Sequence, residues 1–281
     1  MIKVALTGGN GFIGQHVLAE LNKHNVKVIA ITRKLQRGMP EINNGHWVQM
    51  DLCQPQSNVY EILDKPDLLI HLAWQGLPNY YSLHHFETEL PNQYAFLKEM
   101  ISQGLLSLIV SGSCFEYGMQ SGALYEHMET RPNNSYGFAK DSLRKQLQYL
   151  QASQPFNLTW ARLFYTYGNG QSDASLIPQL KHAVRRGDKI FNMSGGEQLR
   201  DYLPVSEIAK IMVFLALKQE NIGLINICSG TPVSVRKFVE QWIHNEQWKI
   251  NLNLGYYPYP DYEPMAFWGD RTRLMHLTEV K

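Results

Sequence analysis

The chain has 281 residues, 44% of them apolar and 18% charged, which is enough to bury the core of one large domain or of two unequal lobes. Its 26 basic and 25 acidic side chains give a net charge of +1, which excludes the strongly basic footprint of a nucleic-acid-binding protein. No apolar stretch is long enough to span a bilayer, and no His-x-x-x-His or Cys-x-x-Cys spacing indicates a metal site.

The cysteines and the N-terminus indicate the cellular compartment of the protein. The three cysteines are odd in number and far apart, as is typical of free thiols in a reducing compartment. A strand-like run begins at the N-terminus without the basic segment of a secretory signal peptide. We therefore expect a cytoplasmic protein with no membrane, nucleic-acid or metal partner.

Residues 4–14 (VALTGGNGFIG) are the first segment with a chemical meaning. An apolar run breaks into glycines and resumes with helix formers, as a buried strand does where it turns into a helix. Glycines allow a tight turn close to a ligand, and the free N–H groups of the helix N-terminus favour an anion. The segment predicts a dinucleotide-binding turn with contacts from Gly8, Gly11, Phe12, Ile13 and Gly14.

Seven apolar, β-rich runs follow one another with helical stretches between them. Their hydrophobicity is continuous rather than alternating, which indicates strands buried on both faces of a parallel sheet. We predict an α/β fold, a Rossmann-type doubly wound sheet of about seven strands with its switch point beside the first strand and a smaller C-terminal substrate lobe. The runs are residues 4–6, 26–31, 47–50, 68–72, 106–110, 158–163 and 224–227.

The composition changes from residue 167 onward, where glycine, proline and aromatic residues become more frequent and the elements shorter. We expect residues 1–166 to form the dinucleotide-binding domain. The remainder, 167–281, is expected to be mainly a substrate-binding lobe made of 167–200 and 228–281. Residues 201–227 are expected to return to the first domain as a helix and the last strand.

The end of the second strand indicates which dinucleotide is bound. A carboxylate there would bind the 2′-hydroxyl of NAD, whereas a basic residue suits the 2′-phosphate of NADP. This strand ends in Thr32, Arg33 and Lys34, and the next carboxylate is Glu41. Arg33 can bind a phosphate with two parallel hydrogen bonds, although basic loop residues are also commonly just solvated. We expect NADP(H), with NAD(H) as the alternative.

Three further segments are expected beside the cofactor or the substrate. Asp51 and Leu52 follow the third strand and are placed near the adenine, although Asp51 can equally cap a helix. Residues 74–80 leave the fourth strand toward the predicted site, and their glycine and proline indicate a loop that helps to choose the substrate. The aromatic tail 256–262 either packs the small lobe onto the sheet or stacks on a base.

Tyr136 and Lys140 are four residues apart on a predicted helix, so that both side chains face one side. A phenol near its ordinary pKa of about 10 is a poor acid–base catalyst at neutral pH, and a nearby ammonium is expected to lower that pKa. Ser113 follows the fifth strand at the end where ligands bind, and its hydroxyl can donate to a carbonyl oxygen. We expect these three residues to be catalytic, with Lys140 also bonding to the nicotinamide ribose.

These motifs in this order resemble the extended short-chain dehydrogenase/reductase family, in its group of nucleotide-sugar epimerases, dehydratases and reductases. The resemblance implies that Ser113, Tyr136 and Lys140 are catalytic and that Arg200 binds a substrate diphosphate. Arg200 can alternatively form a structural ion pair with Asp201 or another neighbour. The resemblance also implies that the nicotinamide crevice is lined by Leu72, Ala73 and Trp74. The motifs that carry it lie at residues 7–14, 51–52, 71–73, 113–118, 136–140, 167–168, 200–205 and 226–230.

Departures from the family's motifs reduce the number of reactions expected of this chain. Dehydratases of this group carry an Asp-Glu pair where this chain has Cys114 and Phe115. Glu116 comes one residue too late and, on a strand-like segment, would point the other way. The 3,5-epimerising reductases have a cysteine at the position of Phe115, whereas Cys114 is expected to be a buried apolar residue. Of the family's activities, 4-ketoreduction and 4-epimerisation remain as candidates.

The basic end of the second strand favours the reductase, because a reductase exchanges its cofactor at each turnover whereas an epimerase retains NAD. The favoured function is NADPH-dependent reduction of the 4-keto group of a nucleoside-diphosphate-6-deoxyhexose. Hydride would pass to the keto carbon while Tyr136 protonates the alkoxide and Ser113 polarises the carbonyl. The alternatives are an NAD-dependent 4-epimerase and a non-catalytic dinucleotide-binding sensor or scaffold.

The substrate side of the site departs from the family too. The family usually has Asn where this chain has Tyr165, which can replace that contact or fill space. Asn192 falls where the family's nucleoside pocket lies. We therefore expect the nucleotide sugar to be held by Ser113, Tyr165, Asn192 and Arg200. Helices near residues 91–103 and 138–152 carry apolar stripes that suit a homodimer interface or ordinary core.

Overall fold

A computed structural model describes residues 1–54 and 57–279. The strands are β1 (Ile2–Thr7), β2 (Val26–Thr32), β3 (Gly45–Gln49), β4 (Leu68–His71), β5 (Ser107–Ser113), β6 (Gly122–Leu124), β7 (Asn157–Leu163), β8 (Tyr165–Tyr167), β9 (Ile190–Asn192), β10 (Leu199–Arg200), β11 (Tyr202–Pro204), β12 (Gly223–Ile227), β13 (Val233–Ser234), β14 (Asn251–Asn253) and β15 (Phe267–Gly269). The helices are α1 (Phe12–Leu21), α2 (Val59–Ile62), α3 (Leu90–Ser102), α4 (Ser135–Ser153), α5 (Leu176–Arg186), α6 (Val205–Lys218), α7 (Val235–Asn245) and α8 (Thr272–Glu279).

Seven parallel strands form the central sheet in the order β12-β7-β5-β4-β1-β2-β3. The chain proceeds outward from β1 to one edge and then from β4 to the other, so the order reverses between β1 and β4. This confirms the predicted α/β fold with a Rossmann-type sheet. The carboxyl ends of strands that flank such a switch point leave a crevice for a ligand.

The continuous apolar runs form strands because both faces of the sheet are covered. Val4 and Leu6 belong to one buried cluster together with residues of α1 and α6, while Ala5 belongs to a second cluster together with residues of α3 and α4. Successive residues of a strand point to opposite faces, so each of these strands needs apolar residues at every position.

The elements outside the sheet are short. Four two-stranded pairs, β10 with β13, β11 with β8, β14 with β9 and β15 with β6, lie outside the central sheet. Helices α5 and α7 share a small apolar cluster that includes Leu180 and Val239, whereas α6 packs on α1 and β12 pairs with β7. The division into two lobes, with residues 201–227 in the first, stays a prediction that these contacts support.

The described residues contain no helix that is both long and apolar enough to cross a membrane. Helices α3 and α4 pack against each other. Their contact leaves Phe138 and Tyr149 of α4 exposed, the latter by 81% of its surface. The homodimer stays a prediction.

Candidate active site

The glycine-rich turn between β1 and α1 is as tight as its sequence predicts. Gly8 has a φ of +70°, and a Cβ on Gly14 would lie 1.9 Å from the carbonyl oxygen of Gly8. The N–H of Gly11 donates to that oxygen at 2.9 Å. Side chains at these positions would push the helix away from the sheet. The turn therefore keeps the first N–H groups of α1 close to the crevice, where they can bind an anion.

A cavity of about 230 Å³ runs along this turn and the carboxyl ends of the neighbouring strands. A Cβ on Gly8 would lie 2.9 Å from the backbone nitrogen of Ala73, another residue of the lining, so glycine keeps this side of the cavity narrow and free of side chains. The lining also contains Asn10, Gln75 and Gln93, which were not predicted as cofactor contacts. Asn10 and Gln75 lie in the predicted segments 7–14 and 74–80, whereas no motif marks Gln93. The residues predicted to bind the cofactor that do line the cavity are Gly8, Gly11, Thr32, Arg33, Asp51, Leu52, Leu72, Ala73 and Trp74.

Thr7 joins the two strands that flank the switch point. Its Oγ1 accepts the N–H of Leu72 at 3.1 Å and that of Ala73 at 3.2 Å, and it lies 3.0 Å from His71 Nδ1. Burial lowers the pKa of His71 to about 3, so the imidazole stays neutral. The backbone that borders the cavity is thus fixed by one hydroxyl.

The end of β2 presents one basic side chain, Arg33, to the cavity, whose lining does not include Lys34. Thr32 is buried, whereas Arg33 and Lys34 are exposed. The Nη1 of Arg33 donates to Gln75 Oε1 at 2.7 Å, which draws the guanidinium across the cavity mouth. Asp51 lines the cavity, and its Oδ1 accepts the N–H of Cys53 at 3.0 Å. Residues 52–54 form a turn and α2 begins only at Val59, so the alternative of a helix cap is wrong, whereas the position of Asp51 near the adenine stays a prediction.

Helix α4 brings Tyr136 and Lys140 to the carboxyl end of β5. Its cap is Asn134, whose Oδ1 accepts the N–H of Gly137 at 2.8 Å. Tyr136 is 8% exposed and Lys140 is 1% exposed. Ser113 is the last residue of β5, and its hydroxyl opposes the rise in the pKa of Tyr136. The structure therefore brings the three predicted catalytic residues together.

Lys140 lies between the sheet and the cofactor cavity. Its Nζ donates to the carbonyl oxygen of Ser111 at 3.0 Å and lies 4.0 Å from the ring centroid of Trp74. Burial lowers the pKa of Lys140 to about 7, against the opposing effect of Glu116 and Glu89. Near neutral pH the amine is therefore close to its midpoint of protonation.

The expectation that Lys140 lowers the pKa of Tyr136 is wrong for the protein without its ligands. Burial raises the pKa of Tyr136 above its ordinary value, and Tyr80, Glu116 and Cys114 act in the same direction. The Nζ of Lys140 lies 5.9 Å from the centroid of the Tyr136 ring and donates a hydrogen bond to the carbonyl oxygen of Ser111. The phenol consequently holds its proton at neutral pH.

Glu116 has a structural role. The segment that carries it differs in shape from the strand-like segment predicted from the sequence. Residues Cys114–Tyr117 form a 3₁₀ helix rather than a strand-like segment, because Ser113 and Glu116 cap its start reciprocally. Glu116 Oε1 accepts the N–H of Ser113 at 2.8 Å, and its Oε2 accepts from Arg162 Nε at 2.7 Å. Its side chain is fully buried. Cys114 is buried in an apolar cluster, and burial raises its pKa.

Arg200 is engaged by the protein itself. Its Nη2 donates to Glu263 Oε2 at 2.8 Å and its Nη1 donates to the carbonyl oxygen of Leu199 at 2.9 Å. Tyr165 donates to the other oxygen of Glu263. The ion pair thus has Glu263, and not Asp201, as its partner. The sequence analysis missed Glu263 because it lies 63 positions away. The binding of a diphosphate by Arg200 stays a prediction.

Asn192 and most of the aromatic tail lie apart from the catalytic residues. Asn192 accepts from Asn253 at 2.8 Å and lines a separate cavity of about 360 Å³ beside α5. Tyr256 and Tyr257 are exposed, whereas Tyr262 is half-buried against Tyr80. A contact of Asn192 with the nucleoside stays a prediction.

A cavity at a switch point, with a serine, a tyrosine and a lysine near it, is the arrangement of an oxidoreductase- or epimerase-type enzyme of the short-chain dehydrogenase/reductase family. The model of the NAD dependent epimerase/dehydratase family matches residues 4–228. The chain belongs to that family, in agreement with the resemblance that its motifs predict.

Relatives and a solved structure extend the likeness over nearly the whole chain. The dTDP-6-deoxy-L-talose 4-dehydrogenase (NAD(+)) of Aggregatibacter actinomycetemcomitans is 28% identical over 95% of this chain and 99% of its own. The GDP-6-deoxy-D-talose 4-dehydrogenase of the same organism is 26% identical over 98% and 91%. The UDP-N-acetylglucosamine 4-epimerase from Methanobrevibacter ruminantium M1, solved with UDP-N-acetylmuramic acid, has a TM-score of 0.87 at 24% identity over 99% of this chain and 92% of that one.

Proposed function

We propose that this chain is an oxidoreductase that acts at C4 of a nucleoside-diphosphate-6-deoxyhexose, as an NADPH-dependent reductase of the 4-keto sugar. The observation that carries the proposal is the joint position of Ser113, Tyr136 and Lys140 beside the dinucleotide cavity. The two 4-dehydrogenases to which the chain is similar act on 6-deoxyhexose nucleotides by name. Reduction of a ketone is the reverse of such a dehydrogenation.

In this reaction the side chains polarise the carbonyl group of the substrate and protonate its oxygen. A keto oxygen between the hydroxyls of Ser113 and Tyr136 can accept a hydrogen bond from each, which stabilises the charge that develops during reduction. Tyr136 then transfers its proton to that oxygen. Lys140, when charged, stabilises the phenolate that remains. The bound dinucleotide supplies the hydride, and Gly8, Gly11 and the cavity residues would hold it.

One observation favours reduction over epimerisation. The basic end of β2 suits a cofactor that is exchanged at each turnover. A 4-epimerase that uses the same three residues is the alternative, and the family contains epimerases by its name. A sensor or scaffold would not need all three catalytic side chains.

Hydride transfer tests this function directly. Purified protein is mixed with NADPH or NADH and a panel of dTDP-, GDP- and UDP-4-keto-6-deoxyhexoses, and nicotinamide absorbance is followed. We expect oxidation of NADPH and a 4-hydroxyl product. Conversion of UDP-hexoses into their C4 epimers without consumption of added cofactor would establish the alternative. Cofactor binding without turnover of any sugar would favour the sensor.

The preference for NADPH depends on Arg33 in this proposal. Arg33→Asp removes a phosphate ligand and adds a repulsive charge, so the ratio of kcat/KM for NADPH to that for NADH should fall by about 100-fold. The matched control is Arg37→Asp, which makes the same charge change at an exposed position four residues on. An unchanged ratio in Arg33→Asp, or an equal fall in both variants, would remove Arg33 from the cofactor site.

A further inference from the structure

Aromatic rings from three separate parts of the chain cover one side of Tyr136. The ring centroids of Tyr80 and Phe115 lie 5.8 Å and 6.3 Å from that of Tyr136, and 4.7 Å from each other. Tyr262 closes the group, at 6.2 Å from Tyr80 and 6.5 Å from Phe115. We name Tyr80, Phe115 and Tyr262 the aromatic wall.

The aromatic wall borders the space left for the substrate. In the described part of the chain, the lining of the dinucleotide cavity includes Trp74 and none of the three wall residues. Trp74 contacts Tyr136 at a centroid distance of 6.0 Å, so the cofactor approaches Tyr136 from that direction. The wall therefore lies beside Tyr136 but outside the lining of the dinucleotide cavity.

Hydrogen bonds to the start of α4 hold the wall in place. The carbonyl oxygen of Tyr80 accepts the N–H of Tyr136 at 3.0 Å, and that of Tyr81 accepts from Ser135 Oγ at 3.1 Å. Asn133 Nδ2 donates to the carbonyl oxygen of Tyr262 at 3.3 Å. Both loops that carry wall residues are thus tied to the helix that carries the proton donor, so the wall is formed before the substrate binds.

The charges around the wall are already paired. Glu263, next to Tyr262, is bound to Arg200 at 2.8 Å, and Glu116, next to Phe115, is bound to Arg162 at 2.7 Å. A carboxylate that entered beside the rings would lose its water without gaining one of these guanidinium groups, and a hydroxyl would lose water too. A methyl group would gain from burial against the rings.

We propose that the aromatic wall selects the substrate by its group at C6, accepting the methyl group of a 6-deoxyhexose and disfavouring a hydroxymethyl or carboxylate group. This inference rests on the proposed function, because it places C4 at Tyr136 and hence C5 with its substituent beside the wall. Apolar pockets discriminate against one added hydroxyl by about 100-fold. A carboxylate is disfavoured further, since a charge costs more to bury than a hydroxyl.

The test compares nucleotide sugars that differ only at C6. Oxidation at C4 is measured as kcat/KM for methyl, hydroxymethyl and carboxylate sugars with one nucleotide and one ring configuration, and their affinities are measured by calorimetry with cofactor present. We expect about a 100-fold preference for methyl over hydroxymethyl in the wild type. Tyr262→Ser should reduce this preference to about tenfold or less, mainly by raising the KM for the methyl sugar. Phe115→Ala removes another ring of the aromatic wall and is measured in the same way.

The control is Tyr125→Ser, which makes the same change at a tyrosine that is 41% exposed and contacts His127 instead of the wall. It should keep the wild-type preference. Equal kcat/KM for all three sugars in the wild type would overturn the role of the wall. If these sugars are not oxidised and their 4-keto forms are not reduced, the proposed function fails, and the affinities then decide: tighter binding of the methyl sugar supports the wall and equal binding overturns it.

Discussion

Tyr136→Phe is expected to lower kcat for C4 hydride transfer by about 1,000-fold while cofactor binding and the fold persist, because general acid catalysis contributes about 10²–10⁴-fold. The substitution removes only a hydroxyl. The ring keeps its contacts with Trp74, Tyr80 and Phe115. Steady-state rates and single-turnover measurements with prebound cofactor would show whether the loss lies in the chemical step.

Tyr117→Phe is a matched control for this loss. Tyr117 is also buried, and its hydroxyl donates to Asn226 Oδ1 at 2.8 Å, away from the cofactor cavity. Removing that hydroxyl should cost about 1–2 kcal/mol of stability by leaving the amide oxygen with one partner fewer, and should leave kcat close to that of the wild type. If Tyr136→Phe kept more than about a tenth of the activity, Tyr136 could not be the acid.

Glu116→Gln is expected to destabilise the fold by about 3–5 kcal/mol, because it leaves the buried Arg162 without a countercharge. Both side chains are at most 1% exposed. Glu116 also holds the N–H of Ser113 and the indole N–H of Trp160, at 2.8 Å and 2.9 Å. Chemical denaturation followed by circular dichroism would measure the loss in the free energy of unfolding.

An exposed ion pair supplies the control for this variant. Glu129 and Arg131 pair at 2.7 Å with side chains 72% and 71% exposed. Glu129→Gln makes the same chemical change in water and should leave the stability unchanged within error, because exposed ion pairs contribute little. Equal stability of Glu116→Gln and Glu129→Gln would show that the buried pair is no more important than the exposed one.

The central sheet could be predicted because its inner strands are buried on both faces, whereas the edge strand β3 is partly exposed. In β4 and β5 every residue is buried, so the apolar runs stand out without any knowledge of their neighbours. The spacing of Tyr136 and Lys140 was equally informative, since a helix places residues four apart on one face. Both patterns involve residues that are close together in the chain, so they can be recognised from the sequence alone.

Features that depend on residues far apart could not be predicted in this way. The partner of Arg200 lies on the C-terminal loop, and nothing in the sequence near Arg200 marks Glu263. The pKa of Tyr136 depends on how deeply Tyr80 and its loop bury the phenol, which the spacing to Lys140 does not reveal. The 3₁₀ helix after Ser113 depends on a capping pair within a short polar and apolar run that resembles the end of a strand.

Two consecutive residues of the C-terminal loop face different partners. Tyr262 lies against Tyr80 and Phe115, and Glu263 binds Arg200. The residues that transfer the proton come from β5 and α4, in another part of the chain. Substitutions in this short loop can therefore change both sets of contacts without changing β5 or α4, the elements that carry Ser113, Tyr136 and Lys140.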